Sequence, residues 1–139
     1  MEIYREIVDL IAEAVAESCE REIGGILGAD RGELICEAVV DNTPSEKWYT
    51  YTPNTEFLNE VIMNWDWNFI GIFHSHLNGQ SSLSVGDKAY IERIMGDMPA
   101  EIDHLYFPLY VMPENRLYGF KATRTKGEIT ISEEAVDII

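Results

Sequence analysis

The stretch Phe69–Asp87, reading FIGIFHSHLNGQSSLSVGD, constrains the chain more than any other. It opens as an apolar run, Phe69-Ile70-Gly71-Ile72-Phe73, and passes directly into His74-Ser75-His76. Ser84 follows after seven intervening residues and Asp87 after two more. A short β-rich run that is apolar on both faces predicts a buried central strand. Alternate residues of a strand point to one face, so His74 and His76 address a common atom. A carboxylate returning from the next element completes three ligands. Two His and one Asp suit zinc with a coordination position open to water, although iron or manganese accepts the same donors.

Each part also has a plainer meaning. A histidine ending an apolar strand often serves as a core or rim residue. Ser84-x-x-Asp87 is a helix-opening signature in its own right, with Ser84 as N-cap and Asp87 near the positive end of the helix dipole. The cap and ligand readings do not exclude each other.

The flanking sequence supplies the scaffold. Residues 3 to 19 read as a helix, with Ile3, Ile7, Ile11, Ala14, Val15 and Cys19 on one stripe. Gly25–Ala29 and Leu34–Val40 read as a hairpin about Asp30-Arg31-Gly32. Asp41–Pro53 is a long loop or irregular strand whose aromatics, Trp48, Tyr49 and Tyr51, pack half-buried or meet a partner. Asn54 or Thr55 caps a helix through Trp65, and Ser84 opens another through Met95. Leu105–Met112 and Arg116–Thr123 form a hairpin about Pro113-Glu114-Asn115. A short strand over Gly127–Ile131 and a final helical turn capped by Ser132, over Ala135, Val136, Ile138 and Ile139, end the chain. This order predicts an α/β fold, a mixed central β-sheet flanked by helices. At 139 residues it reads as one domain, residues 1 to 139.

Composition narrows the partners. The formal net charge is -15, so the basic footprint that phosphate backbones require is missing and nucleic-acid binding is not expected. The same charge repels anionic membranes, and no apolar run approaches the ~20 residues of a membrane span. The acidic N-terminus carries no secretory signal pattern. Cys19 and Cys36 suggest no disulfide framework and read as reduced thiols in a cytoplasmic protein, with Cys36 a small core residue. His104 lies outside the motif spacing and reads as structural.

The His-Ser-His, seven residues, Ser, two residues, Asp pattern resembles the zinc signature of the JAMM (MPN-plus, Mov34/PAD-1) metallopeptidases, particularly their small stand-alone prokaryotic members. That family also carries an upstream glutamate at the edge of an apolar strand. Glu22-Ile23-Gly24-Gly25-Ile26-Leu27-Gly28 matches the placement, with Glu22 52 residues before His74. The resemblance implies a JAMM/MPN architecture, similar in outline to cytidine deaminases, with one zinc ion on His74, His76 and Asp87. It implies Glu22 as general base for the metal-activated water and Ser84 as a hydrogen-bond donor to the oxyanion. From the residues alone, Glu22 is not distinguished from its acidic neighbours Glu17 and Glu20. Many family members have proline directly after the second histidine, where this chain has Leu77, which puts the rigidity of that loop in question.

The implied chemistry is hydrolysis of an amide or isopeptide bond, at the C-terminal tail of a ubiquitin-like protein or its conjugate. An extended Gly-ended tail would add as a strand beside an exposed sheet edge. Two alternatives remain: a zinc hydrolase of a small amide or cysteine adduct, and a non-catalytic MPN interaction module. Deamination is set aside, because its zinc site needs a Cys-x-x-Cys pair and Cys19 and Cys36 are far apart in sequence.

Overall fold

A computed structural model describes residues 1–18, 20–43, 45 and 47–139. Chain order is β1 (Glu2–Ile3), α1 (Arg5–Glu17), β2 (Gly24–Ala29), β3 (Glu37–Val40), α2 (Thr55–Asn64), β4 (Asn68–His76), α3 (Val85–Asp97), β5 (His104–Tyr106), β6 (Leu109–Val111), β7 (Arg116–Thr125), β8 (Glu128–Glu134) and β9 (Asp137–Ile138). The expected mixed α/β architecture is present. The main sheet runs β3-β2-β4, then β5 and β6 end to end in the lane beside β4, then β7, with β8 on the outside of β7. β4 is antiparallel to β2 and parallel to β5 and β6, which makes the sheet mixed.

Both faces of β4 are covered, as its apolar run demands. Phe73 packs with Leu27, Ile7, Ile11 and Val15 beneath α1. Ile72 packs with Ile26, Tyr90, Ile91 and Met95 on the side of α3. Side-chain alternation from Ile72 therefore sends His74 and His76 toward α3, and sends Ser75 with Phe73 toward α1. A shift in the β2–β4 register between Leu27 and Gly28 leaves Ile70 unpaired and places it in the α1-side core.

Several boundaries differ from those the sequence predicts. Ile3 does not begin α1 but pairs with β9 and bridges to Ile35, and the first helix ends at Glu17. Cys19 lies outside the described residues. That bridge engages Ile35, so the strand expected from Leu34 starts at Glu37. Cys36 is only half-buried, not a core residue. The second helix stops at Asn64, with Trp65 already extended. Leu105–Met112 is not one strand, because Pro108 has no N–H to give the ladder and splits it into β5 and β6. Ser132 caps no helix: β8 pairs with β7 from Glu128 to Glu134, and Asp137–Ile138 forms β9. An isolated helical turn fixes several dihedrals for one hydrogen bond, whereas the long free edge of β7 offers a full ladder. None of the helices in the described residues is long and apolar enough to cross a membrane.

Candidate metal centre

Two local structures deliver the polar groups. β4 ends in His74 and His76, both buried, on the face toward α3. α3 begins with a capping box in which Ser84 Oγ accepts from Asp87 N–H at 3.0 Å and Asp87 Oδ2 accepts from Ser84 N–H at 2.9 Å. The cap fixes the Asp87 carboxylate at the mouth of the helix, against the end of β4. The capping role is thus present, and it leaves the Asp87 carboxylate beside the two histidines.

One ligating atom each from His74, His76 and Asp87 lies within 4.8 Å of the others. His74 Nε2 is 3.2 Å and His76 Nε2 2.9 Å from the same carboxylate oxygen, Asp87 Oδ2. His76 Nδ1 lies 2.8 Å from the Gln80 carbonyl oxygen, which only accepts, so that nitrogen carries a hydrogen. In a neutral ring, Nε2 of His76 is then a bare lone pair facing a carboxylate lone pair. Only a cation between them, a proton or a metal ion, makes the contact favourable. His74 Nε2 is close to Oδ2 but misaligned for a hydrogen bond. Among the described residues it is the one buried side-chain polar atom without a hydrogen-bond partner.

Protonation follows the same logic. Burial lowers the pKa of His74. Burial also pulls His76 down, but the Asp87 carboxylate and the Gln80 carbonyl outweigh it and leave its pKa raised. Burial alone would lift Asp87, yet the two imidazoles hold it well below the usual carboxylate range.

These residues fit a metal ion. Zinc bonds of about 2.0–2.1 Å in a tetrahedron separate ligand atoms by roughly 3.3 Å, close to the spacings of Oδ2 from the two imidazoles. An orphaned imidazole nitrogen aimed at a carboxylate oxygen is the donor set that such an ion satisfies.

Glu22 reaches the same place from another element. Gly24 pairs with His74, and Ser75 N–H donates to Ile23 O at 2.9 Å. Continuing this register by one more residue sets Glu22 opposite His76, with its charge felt by His76 and Asp87. Burial raises Glu22 to about 7, with His76 opposing and Asp87 reinforcing. Glu17 is on α1 and Glu20 is exposed. The register thus singles out Glu22 where composition did not.

The surrounding loops hold this corner. Glu22 N–H donates to Trp48 O at 2.8 Å, and the Tyr51 main chain draws the Glu22 pKa down slightly against burial. Tyr51 is buried, its hydroxyl donating to Asp41 Oδ2 at 2.8 Å, while Trp48 and Tyr49 are exposed. Gly24 is required beneath it, since a Cβ there would lie 2.4 Å from the Tyr51 ring. Sequence reading did not select Asp41 or assign Tyr51 to the site; an acid at a strand end followed by aromatics was the only signal available. The loop after His76 is tied without proline, by Gly79 N–H to Met112 O at 2.7 Å and by the Gln80 carbonyl to His76. Leu77, with Trp48, Glu20, Arg21 and Asn78, lines an open groove of about 680 Å³. A second groove of about 680 Å³ lies along α2 and contains none of the candidate ligands. His104 is on β5, paired with Asp103 and Glu33.

No protein-family model matches the chain, and no curated protein matches it. Solved structures do. Protein DSY2949 from Desulfitobacterium hafniense, known as a solution structure, superposes with a TM-score of 0.71 at 16% identity, over 99% of this chain and 92% of that one. AF2198, a JAB1/MPN domain protein from Archaeoglobus fulgidus, superposes with a TM-score of 0.62 at 18% identity, over 100% and 99%. At such identities the likeness shows a shared fold. The chain has the fold of a JAB1/MPN domain protein.

Proposed function

We propose that the protein is a zinc-dependent hydrolase of amide or isopeptide bonds, with the C-terminal tail of a ubiquitin-like protein or its conjugate as substrate. The observation that carries this reading is the convergence of His74 and His76 Nε2 on Asp87 Oδ2, with Glu22 beside them. His74, His76 and Asp87 hold the ion. When bound, such an ion supplies a nucleophilic water at neutral pH by lowering its pKa to about 7.

The remaining steps fall to the protein's own groups. The Glu22 carboxylate takes a proton from the attacking water and returns it to the amine nitrogen as the C–N bond breaks. A base with a pKa near the working pH suits that exchange, and Glu22 at about 7 has one. Ser84 Oγ already accepts from Asp87 N–H, so its hydroxyl hydrogen is left to donate to the substrate's carbonyl oxygen as charge develops there. The open groove beside Leu77 and Trp48 gives an extended tail room next to these groups. Among the described residues β3 has a partner strand on one side only, which offers a tail an edge to join.

The test is the metal content and isopeptide cleavage of the purified protein, using a fluorogenic conjugate of a Gly-ended tail. Expected are one zinc per chain, loss of cleavage on chelation, and a loss of about 10²–10⁴ in rate in Glu22→Gln. Undiminished cleavage by Glu22→Gln overturns the assignment of the base. Cleavage of small amides but of no protein tail shifts the substrate to that class.

A further inference from the structure

One buried hydroxyl at this site has no place in the reading above. Tyr90 lies three residues after Asp87 on α3, one helical turn on, and is buried. Its hydroxyl is 3.0 Å from His74 Nδ1, and its ring stands edge-on to the imidazole with centroids 5.7 Å apart. Phe107 and Tyr51 stack edge-on around the Tyr90 ring, at 6.2 and 6.5 Å, which leaves the hydroxyl little freedom.

We propose that Tyr90 is a positioning residue for metal binding, whose oxygen accepts the Nδ1 hydrogen of His74 and so presents Nε2 as a bare lone pair. The proposal rests on the metal-binding reading of His74, His76 and Asp87. A neutral imidazole carries one N–H, and a ligating Nε2 must be without it. The hydrogen then sits on Nδ1, deep in the core, where it needs an acceptor. Tyr90 Oη is the acceptor in reach. The bond also fixes ring rotation. A flip about Cβ–Cγ would set a carbon against the hydroxyl and carry Nε2 away from Asp87. At His76 the equivalent task falls to the Gln80 carbonyl oxygen at 2.8 Å. Each histidine is thus oriented through its far nitrogen, one by main chain and one by a side chain of the helix that brings Asp87. Outer partners of this kind typically change metal affinity by 10–100-fold. α3 accordingly contributes two points to the centre, a ligand at Asp87 and an orienting oxygen one turn later.

The experiment is zinc affinity, read by competition with a chromophoric chelator, for the wild type, Tyr90→Phe and Tyr51→Phe. Tyr90→Phe keeps the ring and its neighbours and removes only the oxygen. Tyr51→Phe removes a buried hydroxyl from the same aromatic cluster that faces Asp41 instead of a ligand. Expected is a 10–100-fold weaker affinity in Tyr90→Phe, with an unchanged far-ultraviolet spectrum, and an unchanged affinity in Tyr51→Phe. Equal affinity in Tyr90→Phe and wild type overturns the inference, and so does an equal loss in both variants, which marks general loosening of the cluster. A wild type that binds no zinc instead overturns the metal reading on which it stands. A measurement on the wild type needs no variant to fold: the Nδ1–H of His74 in the zinc-loaded protein, followed by nitrogen-15 NMR, should exchange slowly with water and show proximity to the Tyr90 ring. Rapid exchange contradicts the inference.

Discussion

At the scale of single residues, the site gathers groups that the fold would otherwise avoid burying. Glu22 is the clearest case. Its pKa is 4.5 in an unfolded chain and about 7 in the fold, raised by burial. The protonated form is therefore favoured in the folded state, so stability falls as pH rises from about 4.5 to 7, and the full cost is felt above that window. Glu22→Gln removes a charge without changing shape. In metal-free protein it should stabilise the fold at pH 8 by on the order of 2 kcal/mol, discounted for partial exposure, and make no difference at pH 4. Denaturant midpoints of the two proteins at both pH values check this. An unchanged difference across the window would show that Glu22 is solvated. With Glu22 as the proposed base, the same substitution should lower activity, so stability and catalysis should move in opposite directions.

At the scale of elements, the helix opening and the strand contacts carry separable consequences. Ser84→Ala deletes the cap of α3 and should cost about 1 kcal/mol of stability. If Ser84 also donates to the oxyanion, the rate falls by ~10²–10³, far beyond what the fold loses. Comparing denaturation with cleavage separates the two roles. Gly71 tests the central strand, because a Cβ there would lie 1.9 Å from the Tyr106 carbonyl oxygen. Backbone cannot yield as a side chain can, so Gly71→Ala should destabilise by about 3 kcal/mol or more, as overpacking does at its upper end. Thermal melting measures it.

The elements also show what the sequence could reveal. The convergence of His74, His76 and Asp87 and the Ser84 cap were legible because their relation is local: strand alternation, a short loop and a helix opening. Glu22 was not, since its place depends on the β2–β4 register across 52 residues, visible from this one sequence only through family resemblance. Ser132 misled because a good cap residue says nothing about the free edge of β7 waiting beside it. Pro108 was the overlooked sign that β5 and β6 are separate. Tyr90 offered a weak signal in its three-residue spacing from Asp87, but its partner is set by tertiary packing.

At the scale of the whole molecule, a metal ion held as proposed would tie together elements far apart in the chain. The candidate ligands come from β4 and α3, the proposed base Glu22 precedes β2, and the loop after Val40 holds the Glu22 main chain through Trp48 O. An ion that binds the folded chain alone stabilises it by mass action, by about 4 kcal/mol at a thousandfold excess over its dissociation constant. Zinc should then raise Tm by roughly 10 °C, and chelation should reverse the gain. Asp87→Asn should abolish the zinc-dependent part of this shift while leaving the protein folded, since the neutral amide still serves the cap. The most direct measurement is zinc X-ray absorption on the purified protein together with its metal content. One zinc per chain, with two imidazole nitrogens and oxygen donors at about 2.0–2.2 Å, is the predicted result. Absence of stoichiometric metal after zinc loading, or a sulfur ligand in the shell, would contradict it.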